Sequence, residues 1–328
     1  MIETVGTPGL WAAFVALVLV FLALDLGVFH REDHVVGPRE ALGWSVLWIS
    51  LALAFGGWVW FRHGGEAGLQ YLTGYVIEKS LSVDNIFVFV VIFGALGIPP
   101  IYQHRVLFWG ILSALLMRGA MIGAGAVLLA RFHWIIYVFG GFLVLTGVKL
   151  LFARGAASQP ADSAVFRLLR KVVPASPELD GNHFFTKVDG RWLATPLFFA
   201  LALIEVTDVI FAVDSIPAIF AVTSDPYIVF TSNVFAILGL RSLYFLLASF
   251  VEKFTYLKPS LAFVLVFVGT KMALVDVFKI HAAVSLGVVC AILGVGVVAS
   301  VLKNRRVAAA EAAAAASANA PLVRRKAA

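Results

Sequence analysis

Nine stretches of this chain are apolar over about the 20 residues an α-helix needs to cross a bilayer. That property leaves few folds open. The stretches fall near 8–29, 41–61, 68–97, 104–130, 133–153, 194–222, 228–250, 258–278 and 281–302. Of the 328 residues, 61% are hydrophobic and 13% charged, and the mean hydropathy is +0.97. A soluble domain sits nearer 45–50% apolar and about 25% charged, so the chain reads as an all-α polytopic membrane protein of about nine helices. The third and sixth stretches are overlong and interrupted by acids.

The basic residues orient the spans. With an outside N-terminus, inside segments hold seventeen Lys and Arg, including Arg31, Arg39, Arg167, Arg170, Lys171, Lys187, Arg191 and the tail from Lys303. Outside segments hold only Arg62, Arg131 and Lys279. Cytoplasmic loops carry such an excess, which predicts an outside N-terminus and a cytoplasmic C-terminus. The net charge of +6 is therefore a topology signal and does not point to nucleic acid. MIETVGTPGL lacks the basic start of a signal peptide, so 10–29 is read as a retained span. The single cysteine, Cys290, excludes an intramolecular disulfide and a cysteine-cluster metal site.

Residues 1–302 form the membrane domain. Within it, 154–192 is the sizeable soluble segment: a flexible opening, then VFRLLRKVVP as a short surface helix, then HFFTKVDGRWLATP as a small hairpin around its Asp-Gly pair. The 303–328 tail is low-complexity, helical in its alanine run and disordered at its end.

The stretch LIEVTDVIFAVDSIPAI (203–219) places Glu205, Asp208 and Asp214 inside a span. Each acid costs roughly 2.5–3.5 kcal/mol or more near the bilayer centre unless paired, protonated or metal-bound. At about 100° per residue, Glu205 and Asp208 share a face while Asp214 lies roughly 120° away. Pro217 cannot donate to the carbonyl of Val213, which predicts a kink beside Asp214.

Charged motifs recur in order. SVDNIFV (82–88) matches VTDVIFA (206–212), LMRGAMI (116–122) matches GLRSLYF (239–245), and LTGVKLL (145–151) matches VGTKMAL (268–274). These pair Asp84 with Asp208, Arg118 with Arg241 and Lys149 with Lys271, at offsets of 124, 123 and 122. Each unit has three spans, so the second (194–278) enters the membrane opposite to the first (68–153), as in inverted-repeat transporters whose site lies at the midplane between repeats.

The acids Glu78, Asp84, Glu205, Asp208 and Asp214 are accompanied by oxygen donors such as Asn85 and Ser215, with no His or Cys among them. Such a set suits a hard divalent cation, Mn²⁺, Mg²⁺ or Ca²⁺. A desolvated carboxylate can hold a proton that metal binding displaces, which would couple cation and proton movement. Arg118 and Arg241 read as charge-balancing partners of the acids, and Lys149 and Lys271, nearer span ends, can snorkel.

At EKSLSVDNIFVF (78–89) and LIEVTDVIFAVDSIPAIFAVTSDPYIVFTSNVFAILGLRSLYF (203–245) the chain resembles the TerC family of integral membrane proteins, related to LysE-type exporters. The resemblance runs from about residue 10 to 302. It implies a nine-span bacterial inner-membrane protein of metal homeostasis that exports manganese, with the family's functional acids falling on Asp84, Glu205, Asp208 and Asp214. It implies no enzyme activity and no resident cofactor; the partners expected are a divalent cation and the bilayer. The tellurium resistance behind the family name does not make tellurium the substrate, since an anion sits poorly among five carboxylates. A second reading is a membrane scaffold whose 154–192 loop docks soluble stress-response or protein-insertion partners. An intramembrane aspartyl protease is disfavoured because no GxGD-like sequence surrounds any aspartate.

Overall fold

A computed structural model describes residues 4–27, 36–132, 134–152, 164–188, 190–248, 255–278 and 280–325. The side chains at 25–27, 84, 87, 164–165, 257–258 and 308–325 lie outside the described set. Helices stand at all nine apolar stretches: α1 (Pro8–Gly27), α2 (Pro38–His63), α3 (Gly65–Ala95), α4 (Pro100–Arg131), α5 (Ile135–Phe152), α7 (Pro196–Phe220), the pair α8 (Pro226–Leu238) and α9 (Leu240–Leu247), α10 (Leu257–Ala273) and α11 (Ala282–Arg325). Five of these are long and apolar enough to cross a membrane, and six if α8 and α9, bent by 41°, count as one span. The shortfall from nine has a physical cause in α3, whose run is broken by Glu78, Lys79 and Asp84. The apolar parts of α1 and α10 are shorter, at Pro8–Leu24 and Pro259–Ala273.

Local chemistry sets the helix starts. Proline opens α2, α4, α7 and α8, where its missing N–H costs nothing and its fixed φ favours a helix. Asp225 caps α8, accepting from the N–H of Tyr227 at 2.8 Å and of Ile228 at 3.4 Å. The same carboxylate accepts from Thr4 Oγ1 at 2.8 Å and Val5 N at 2.6 Å, which ties the N-terminal segment to α8. Gly64, at φ +97°, makes the sharp turn between α2 and α3.

From 164 on, the 154–192 segment forms the helix and the hairpin that its sequence predicts. Helix α6 (Ala164–Val172) buries Phe166 and leaves Arg167, Arg170 and Lys171 exposed. Strands β1 (Phe185–Val188) and β2 (Arg191–Ala194) pair antiparallel, with Gly190 at φ +77° in the turn. Phe166 packs edge-on against Phe199, and Phe185 against Phe198, so both elements dock on the start of α7. The opening of the loop, 153–163, lies outside the described residues. At the other end, α11 continues through the alanine run to Arg325, beyond where composition predicts order; alanine has the highest helix propensity.

Polarity is arranged inside out relative to a soluble protein. Leu116, Leu145 and Val295 are 72%, 71% and 70% exposed, whereas Glu78 and Arg118 are 1% and 2% exposed. An apolar exterior around a charged interior is what a lipid solvent selects.

Candidate functional site

Four helices enclose the charged interior: α3 packs on α7 and α8, and α4 packs on the same two. Close approaches bring them together. A Cβ on Gly110 of α4 would sit 3.2 Å from Ile204 of α7, and one on Gly74 of α3 would sit 2.9 Å from the Ser232 hydroxyl of α8.

Arg118, on α4, stands at the centre. Its guanidinium forms a fork with Asp208 of α7, Nη2 to Oδ1 at 2.7 Å and Nε to Oδ2 at 3.2 Å. Nη1 donates to Glu78 Oε1 on α3 and, at 3.3 Å, to Ser215 Oγ on α7. All four side chains are buried. With both carboxylates ionised the triad carries one negative charge in excess, and an uncompensated buried charge costs several kcal/mol. Lys79, the neighbour of Glu78 in sequence, brings a second cation to this interior and donates from its ammonium to the carbonyl of Ala236 on α8 at 3.1 Å.

On α3 and α8, two of the enclosing helices, buried polar atoms lack hydrogen-bond partners among the described residues. They are Glu78 Oε2, Ser82 Oγ, Asn85 Oδ1 and both polar atoms of Asn233. Glu78, Ser82 and Asn85 recur at i, i+4 and i+7 along one face of α3. Each such atom costs about 1–3 kcal/mol if left unpaired, so this group is poised to receive a ligand of its own polarity. Next to Asp208, a cavity of about 10 Å³ lined by Phe89, Ile111, Ala114 and Ile204 has room for roughly one water-sized particle.

The remaining acids are held by hydroxyls of their own, outside the triad's hydrogen bonds. Glu205, one turn before Asp208, is half-buried and meets the Ser113 hydroxyl of α4. Asp214, also half-buried, accepts from Thr146 Oγ1 of α5 at 3.3 Å. Among the described residues no three of His, Cys, Asp and Glu gather as a metal cage. The side chain of Asp84 lies outside that set, and only its place on α3 is described. Helix α7 runs through Pro217 to Phe220. Of the other basic residues, Arg241 is buried on α9, Lys149 is exposed, and Lys271 Nζ reaches Ser285 Oγ of α11 at 3.4 Å. Sequence reasoning did not single out Ser113, Thr146 or the Lys79–Ala236 contact. A lone hydroxyl in an apolar span is the only signal for the first two.

A lipid-facing helical exterior around a buried, charged polar centre defines a polytopic integral membrane protein with an internal site. The chain belongs to the TerC family of integral membrane proteins, whose family model matches residues 63–308. It is 64% identical over 302 residues to the "Uncharacterized membrane protein STKORF319" of Myxococcus xanthus, covering 92% of this chain and 95% of that one. It is 48% identical over 300 residues to the "Putative membrane-bound redox modulator Alx" of Escherichia coli (strain K12), covering 89% and 94%. An "Uncharacterized membrane protein" of Rickettsia bellii is 40% identical over 294 residues, covering 90% and 97%. No solved structure matches the chain.

Proposed function

We propose that the protein is a secondary transporter that exports a divalent cation, manganese above all, across the bacterial inner membrane in exchange for protons. The observation that carries this reading is the buried Arg118 triad, with two carboxylates on one guanidinium and unpartnered amide, hydroxyl and carboxylate oxygens on α3 and α8. In the ion-free state the guanidinium holds Asp208 and Glu78 together; a hard dication competes for the same oxygens, and a proton relieves the excess charge in its absence. Glu205 and Asp214, each held by a single hydroxyl, are the next carboxylates along the path, with Asp84 in the first repeat. Ser215 and Asn85 supply neutral oxygens, and Arg241, Lys149 and Lys271 balance charge.

The architecture proposed is nine spans in two inverted repeats, with the N-terminus outside. The packing of α5 on α10 supports it. A Cβ on Gly140 would meet the Gly269 carbonyl at 2.9 Å, and one on Gly147 the Ala262 carbonyl at 2.7 Å. Shifting by the repeat offset of 122 takes Gly147 to Gly269 and Gly140 to Ala262, so the two contacts exchange as a two-fold axis requires. The pairings α3 with α8 and α4 with α7 exchange in the same way. The redox name carried by relatives fits a transporter indirectly, through metal balance, because one cysteine cannot cycle between dithiol and intrachain disulfide.

A second reading, docking of soluble partners, is favoured by Leu168, Val172 and Trp192, which are exposed beside Arg167, Arg170 and Arg191. The two separate by titration. Mn²⁺ added to the purified full chain in detergent is expected to raise its thermal midpoint, since ligand binding stabilises the bound fold. Asp208→Asn and Asp214→Asn are expected to abolish the shift. Asp214 is outside the triad, so its variant keeps the test informative if Asp208→Asn folds poorly. An unchanged shift in folded Asp214→Asn, or none in the unaltered protein, contradicts the reading.

A further inference from the structure

Helices α10 and α11 flank an apolar groove of about 650 Å³, walled by Pro259, Phe263 and Phe267 on one helix and Ile292, Val295 and Ala299 on the other. From Ala291, where the groove begins on α11, to Lys303 is twelve residues, or about 18 Å of helix rise. One leaflet of a bilayer's hydrocarbon core is about 15 Å thick, so the groove matches the depth of a single acyl chain.

One end of this groove is strongly basic. Lys303 Nζ lies 5.5 Å from the centre of the Tyr256 ring, which lines the groove, and Tyr256 N donates to Ser300 Oγ at 2.9 Å, fixing the ring's backbone to α11. Lys303 and Arg306 continue the stripe of Ile292, Val295 and Ala299 at helical spacing, and both are exposed. The N-terminus of α10 opens at the same end. Between residues 255 and 307 the sole acid is Asp276, at the opposite end of the two helices. Neither Lys303 nor Arg306 has an ion-pair partner among the described residues.

We infer that the α10–α11 groove is a binding site for one anionic phospholipid, its acyl chain against Phe263, Phe267 and Val295 and its phosphate held by Lys303 and Arg306. Charge complementarity selects this occupant over a neighbouring apolar helix, which would leave two cations at the rim unpaired. The site lies outside the Arg118 centre and does not depend on the transport reading.

Native mass spectrometry of the detergent-purified full chain, given equal amounts of phosphatidylglycerol and phosphatidylcholine, tests it. The unaltered protein is expected to retain one phosphatidylglycerol in preference by about tenfold or more. Lys303→Ala with Arg306→Ala, both exposed positions, is expected to bring the two lipids to parity, and Val295→Trp to displace both. Equal retention by the unaltered protein overturns the assignment, as does an undiminished preference in the double variant. A dimer that excludes lipid from the groove overturns it too.

Discussion

Arg118 is the residue on which the interior balances. It touches two carboxylates on two other helices, and removing one member of a buried ion pair leaves the others unpaired at a cost of about 3–5 kcal/mol. Arg118→Met is therefore expected to lower the thermal midpoint sharply. Arg118→Lys, which keeps the charge and loses the fork, should fall between. Equal midpoints for Arg118→Met and the unaltered protein would show that the triad does not support the fold. The acids at Glu205, Asp208 and Asp214 were legible in the sequence because lipid makes each of them expensive. Which base meets which acid was not, because that depends on how α3, α4 and α7 lie side by side. Glu78 shows the difference: it is the less prominent acid of its motif, yet it shares Arg118 with Asp208.

At the scale of helices, close packing in a membrane relies on small residues, because lipid tails leave no hydrophobic force to drive helices together. Gly147 and Gly269 meet backbone atoms of the facing helix at 2.7 Å where a Cβ would stand. Gly147→Leu should separate α5 from α10 and lower stability by about 1–3 kcal/mol or more. Gly141→Ala, on the same helix with nothing within 4 Å, should be neutral or stabilise by up to about 1 kcal/mol through helix propensity. Thermal midpoints of the two variants check the contrast, and equal losses would count against the close α5–α10 contact. The β1–β2 hairpin was legible from its Asp-Gly turn. The bend between α8 and α9 was not: residues 228–250 read as one apolar run, and Gly239, at φ −83° and ψ 4°, takes a turn conformation open to any residue, so its being glycine is no signal. The bend depends instead on tertiary contacts, with Lys79 reaching the Ala236 carbonyl and Trp48 filling the space beside Gly239.

The molecule as a whole holds charge in an unfavourable solvent. A lipid-exposed surface rich in exposed leucine and valine surrounds buried carboxylates and the guanidinium that joins them, and charges kept in lipid at such cost are the ground of the proposed cation transport. Uptake of radiolabelled Mn²⁺ into proteoliposomes holding the full chain, with and without an opposing pH gradient, is the most direct test. The account predicts uptake that the proton gradient drives and that Asp208→Asn and Asp214→Asn abolish. Uptake no greater than in empty vesicles, or unchanged in both variants, would contradict it.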